Sequence, residues 1–93
     1  MEKTEILLKI EALKAVLKNA DDLIYELHWA VIEKAFASRE AMFGCLDKGK
    51  DIDKAEYSSV CQENAYYENM VSKLENAAYQ LSKGVIENIE KIK

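Results

Sequence analysis

Apolar residues recur along the first half of the chain at alternating steps of four and three: Ile6, Ile10, Leu13, Leu17, Ala20, Ile24, Leu27 and Val31. That spacing holds side chains on one stripe of an α-helix and is the heptad signature of helices that pack nearly side by side. The phase survives Asn19-Ala20-Asp21-Asp22, the one place where poor mid-helix residues cluster. A chain reversal there would be free to reset the phase, and the phase is not reset. One helix over about residues 2–47 is therefore expected. The alternative is a break near 19–22, with residues 1–18 folding back to complete a three-helix bundle.

A second stripe begins after Asp22, with Tyr25, Trp29, Ile32, Phe36, Phe43 and Leu46. Residues 23–46 are thus apolar over more than one face. One partner helix buries one stripe, so a double stripe calls for a second layer. These aromatic positions read first as core. The functional reading is a face that accepts a partner helix, because Tyr and Trp bury much area while keeping a polar tip.

Gly49 can take the left-handed conformation that ends a helix, and Lys48 and Lys50 flank that negative helix end. Gly44 is the rival stop. In Ile52-Asp53-Lys54-Ala55-Glu56-Tyr57, Asp53 can cap a new helix while Glu56 reaches back to the cap amide; Ile52 and Tyr57 occupy the staple positions. The second helix, about 53–92, carries Val60, Tyr67, Val71, Leu74, Ala78, Leu81, Val85 and Ile92 on its seam, with Ile86 and Ile89 thickening the end. Gly84 weakens it by about 1 kcal/mol relative to Ala.

The expected fold is all-α: a long antiparallel helical hairpin, about 2–47 and 53–92, in a single domain spanning 1–93. Two hairpins are expected to dimerise into a four-helix bundle with Trp29 in or near the interface. A turn centred on residues 50–51 sets Phe43 opposite Tyr57, Phe36 opposite Ala65-Tyr66, and Ile10 near Lys91-Ile92. It also leaves Cys45 and Cys61 about 7.5 Å out of register along the axis at 1.5 Å per residue, too far for an intrachain disulfide.

Composition narrows the function classes. The chain carries a net charge of −4, with its 13 basic residues scattered apart from a tail pair, Lys91 and Lys93. That balance argues against non-specific binding to nucleic acid or an anionic membrane. Met1 is followed by Glu2-Lys3-Thr4-Glu5, and Lys9, Glu11 and Lys14 interrupt the apolar residues that come next. This is unlike a secretory leader or a membrane span. A cytoplasmic protein with two free thiols is expected.

Little in the chain points to chemistry. His28 is the single histidine; beside Trp29 it reads as a partly buried side chain satisfied locally, with Glu26 or Glu33 as orienting groups if it moves a proton. Glu26-Leu27-His28 lacks the Glu-x-x-His spacing of helical-bundle metal sites. Cys45 and Cys61 lack Cys-x-x-Cys spacing. Asp47, Asp51 and Asp53 mimic a calcium loop, but Ile52 stands where the invariant glycine belongs and Ser58 where the bidentate Glu belongs. No phosphate loop or nucleophile elbow is present. No metal, cofactor or catalytic residue is expected.

The outline of two or three helices, acidic and without a catalytic motif, resembles the small helical secretion chaperones of the flagellar and type III systems. Glu33 to Leu46, with Arg39-Glu40 before Met42-Phe43 and Leu46, carries that likeness, which is one of architecture. It implies a chaperone of an amphipathic helix.

The functional expectation is a non-enzymatic protein–protein interaction module, a small adaptor, inhibitor or chaperone-like protein, with a protein partner and a homodimeric state. Arg39, Phe43, Tyr57 and Tyr66 at the turn end are the expected partner-binding residues. The alternative is a helical oligomer that sequesters a small molecule in a pocket at His28, Trp29 and Tyr79.

Overall fold

The computed structural model describes residues 1–92. Lys93, half of the expected basic tail, lies outside the described residues. Helix α1 runs unbroken from Lys3 to Leu46. A single 3₁₀ turn, Gly49–Asp51, reverses the chain. Helix α2 spans Lys54–Tyr79 and continues through a π-helical segment, Gln80–Ile86, into the short α3, Glu87–Glu90. Among the described residues there is no strand.

The 44 residues of α1 make a helix about 66 Å long, and the molecule measures 73 × 16 × 16 Å. Its radius of gyration is 20.8 Å, against roughly 12 Å for a compact chain of this length. The protein is therefore a two-helix rod, and the three-helix alternative with a break at 19–22 is set aside. Asn19 and Asp22 point to solvent, where their side chains do not compete with buried packing, so the helix runs through them.

The turn follows the expected chemistry with one exception. Gly49 has φ +59°, Gly44 stays inside α1, and α2 starts immediately after Asp53. The Asp53 Oδ1 accepts from the Ala55 and Glu56 amides at 3.0 and 3.1 Å. The Glu56 carboxylate does not close the capping box. It reaches across the turn instead, where Oε2 lies 3.7 Å from Lys48 Nζ.

The seam differs from the heptad expectation by a rotation of α1 about its own axis. Facing α2 are Ile10, Lys14, Leu17, Asp21, Ile24, His28, Val31, Ala35, Ser38, Met42 and Cys45. Ile6, Leu13 and Leu27, expected inside, lie on a flank and stay exposed. Since α1 is apolar on both flanks, any rotation leaves one side uncovered. The rotation adopted places small residues where the helices must approach closely: Ala35, Ser38 and Cys45 are buried, and with Val31 they are the only buried positions among the described residues. There the Asn64 Nδ2 donates to the Ala35 carbonyl at 3.3 Å and to Ser38 Oγ at 3.1 Å.

The second departure lies in α2. Its seam runs Tyr57, Val60, Asn64, Tyr67, Val71, Leu74, Ala78 and Leu81, then steps five residues to Ile86 and on to Ile89. The wider π turn absorbs one extra residue, so Ile86 and Ile89 take the inward places expected for Val85 and Ile92, both of which are exposed.

Candidate functional site

Cross-helix pairs define two unlike edges along the rod. On one edge Arg39 of α1 pairs with Glu68 of α2, and the His28 Nε2 lies 3.2 Å from the Glu75 Oε1. Further from the turn, Glu11, Lys14 and Lys18 share a cleft with Ile86, Ile89 and Glu90. This is the charged edge. Beside it, on the outer surface of α1, stands a ridge of Tyr25, Trp29, Phe36 and Phe43, each more than half exposed. Steps of four and seven residues hold the ridge on one line of the helix.

The aromatic residues expected as core are thus exposed on the outer side of α1. They are organised nonetheless. The Tyr25 and Trp29 rings meet edge to face with centroids 6.1 Å apart at 76°, and the His28 and Trp29 rings do so at 6.0 Å and 74°. Arg39 lies 5.7 Å from the centroid of the Phe36 ring, a cation–π arrangement. Tyr25, His28, Trp29 and Ile24 form one wall of a cleft of about 460 Å³ whose other wall is Glu75 and Ala78 of α2, with Asp21 and Asp22 beside it. The cleft is aromatic on one side and acidic around its rim.

The expected binding residues are placed as follows. Arg39 and Phe43 share the ridge side of α1. Tyr57 is half buried beneath the turn, near Cys61. Side-chain hydrogen bonding with Cys61, foremost, and then charge interaction with Cys61, burial and Cys45 raise the Tyr57 phenol above its ordinary value of 10.0. Both cysteines are free thiols. Tyr66 is exposed on the outside of α2, edge to face with Tyr67 at 5.3 Å and 70°. The four residues do not make one patch. Of the expected pocket, His28 and Trp29 line the cleft, while Tyr79 is exposed and is not part of the lining. Glu68 and Glu75 were missed by sequence reasoning; their signal is the seven-residue spacing that sets both on one edge of α2.

On the opposite edge the surface is aliphatic. Leu13, Val16, Leu23 and Leu27 of α1 are exposed there. No charged residue interrupts the α1 positions of this edge between Lys9 and Lys34.

Among the described residues no three His, Cys, Asp or Glu side chains gather as metal ligands, no buried side-chain polar atom lacks a hydrogen-bond partner, and no helix is long and apolar enough to cross a membrane. No protein family, curated protein or solved structure matches the chain. The likeness to secretion chaperones accordingly stays one of outline.

Proposed function

We propose that this protein is a non-enzymatic, self-associating protein-binding module whose aromatic ridge receives an amphipathic helix of a partner protein. The observation that carries this reading is the line of Tyr25, Trp29, Phe36 and Phe43, exposed on one side of α1 and bordered by Asp21, Asp22 and Glu75. Exposed aromatic residues at helical spacing are anchors for a helix laid along a groove, and aromatic residues with Arg dominate interface hot spots. The carboxylates favour a partner helix with a basic flank. Net charge −4 and the scatter of the basic residues along the sequence favour a protein partner over nucleic acid or an anionic membrane. An adaptor, inhibitor or chaperone role in the cytoplasm fits this mode.

Trp29 is the single tryptophan and reports directly on the ridge. Basic amphipathic helical peptides should shift Trp29 emission to the blue and bind saturably, and acidic peptides of the same hydrophobicity should not. Phe36→Ala and Phe43→Ala should each weaken binding by about 1–3 kcal/mol. Peptide binding unchanged in the double variant would refute the ridge.

The cleft supports a second reading, a small-molecule sequestering protein, with Tyr25, His28 and Trp29 on one wall and Glu75 on the other. Native mass spectrometry of protein purified from its own source would then show a bound small mass, lost in Trp29→Ala.

A further inference from the structure

We infer that the aliphatic edge, and not the aromatic ridge, is where a second copy of this chain docks, two helices against two. The inference rests on the self-association proposed above and specifies its face.

The first argument is area. The rod exposes 7193 Å², whereas a compact protein of 10.6 kDa exposes about 5,500 Å². The surplus of about 1,700 Å² is more than the roughly 800 Å² per partner that a stable interface buries. The second argument is what occupies the edge. On α1 the successive positions are Leu13, Val16, Ala20, Leu23, Leu27 and Ala30; Val16 is 64% exposed and Leu23 55%. On the matching edge of α2 stand Met70, Ala77 and Gly84. Both helices contribute, exposed Lys73 is the one charged side chain that falls between Met70 and Gly84 on this edge, and the small residues let helices approach closely. A two-helix surface whose α1 positions carry no charge between Lys9 and Lys34 can meet its own copy without like-charge contact along α1.

The third argument is the π segment. By absorbing one residue between Leu81 and Ile86 it turns Val85 away from the seam and leaves it 41% exposed, one residue on from Gly84 and beside the same edge. The departure from regular helix extends the aliphatic surface toward the free end of the rod. π turns inside helices occur frequently at functional sites.

The ridge side is poorly suited to a second copy. Asp21, Asp22 and Glu75 line its cleft, and a twofold contact with its axis at the cleft would bring these carboxylates against their own images. Like-charge juxtaposition is a strong deterrent to pairing.

The test is light scattering at micromolar concentration on the full chain and on two charge variants. The wild type is expected to be a dimer. Leu23→Glu should raise its dissociation constant at least about 100-fold, because a twofold interface takes the charge twice, and Phe36→Glu should leave it within about threefold. Leu23 is half exposed in the single hairpin, so the charge does not disturb the hairpin seam. Site-specific cross-linking provides the second measurement. In a Cys45→Ser, Cys61→Ser background, Leu23→Cys should give covalent dimers with a short bis-maleimide, and Phe36→Cys should not. A dimer broken by Phe36→Glu and cross-linked through Phe36→Cys would overturn the face while leaving self-association intact. A monomeric wild type would overturn self-association itself.

Discussion

The Asn64 side-chain amide spans the hairpin to two acceptors on α1, the Ser38 hydroxyl at 3.1 Å and the Ala35 carbonyl at 3.3 Å. Ser38 in turn donates to the Ala35 carbonyl at 2.9 Å. The three residues form a closed polar knot in the Val31–Cys45 stretch of the seam, where the other inward α1 side chains are apolar. A single polar group in such a seam selects one register among several of similar apolar burial. The knot ties α1 and α2 together where the rod has its only buried side chains among the described residues.

Removal of the knot should be felt in stability. Asn64→Ala is expected to cost about 1–3 kcal/mol, since a part-buried amide with two acceptors is lost. Ser38→Ala should cost less, because Asn64 keeps the Ala35 carbonyl. The double variant should be less than additive. Urea unfolding of the four species measures the coupling, and full additivity would mean the knot does not act as a unit.

At the turn, Asp53→Ala removes an acceptor that holds two amides and should cost about 0.5–2 kcal/mol. Glu56→Ala breaks only an exposed ion pair to Lys48 and should change stability by at most about 1 kcal/mol. The two effects should add, since Glu56 does not bond the cap amide. Marked non-additivity in thermal unfolding would show a capping box after all.

The π segment predicts an unusual tolerance. Deleting exposed Ser82 should convert Gln80–Ile86 to regular α-helix while keeping Leu81 and Ile86 on the seam, now four apart. Helicity by circular dichroism should be retained and the melting temperature equalled or raised. A fall of several degrees would show that the extra residue is required for packing.

Tyr57 should ionise late. Its phenol is raised in the folded state, first by the hydrogen bond to Cys61, so the neutral form is the one that folding favours. The resulting stabilisation is complete below the unfolded phenol value and is lost as pH rises through the higher folded value. Phenolate absorbance, compared between wild type and Tyr57→Phe, should assign the most alkaline tyrosine titration to Tyr57. In Cys61→Ser that titration should move down toward pH 10. An unmoved titration would exclude Cys61 as the cause.

Much of the architecture is written in local chemistry. Apolar periodicity, the lack of proline, Gly49 at positive φ and the Asp53 cap define two helices and one turn, because each acts within a few residues of itself. The turn brings Asn64 beside Ala35 and Ser38, close to the expected register, while Arg39 reaches several positions further, to Glu68. What the sequence left open is rotation about the helix axis. α1 carries apolar side chains on three of its sides, so its pattern names no unique inward stripe. The packed hairpin decided the matter by close approach, turning Ala35, Ser38 and Cys45 inward and leaving Leu27 on one edge and Trp29 on the other. The phase of α2 beyond Leu81 was equally hidden, because Val85 and Ile86 are both apolar and only packing against α1 selects Ile86. The separation of an aliphatic edge from an acidic aromatic one is a property of two helices together, and neither helix specifies it alone.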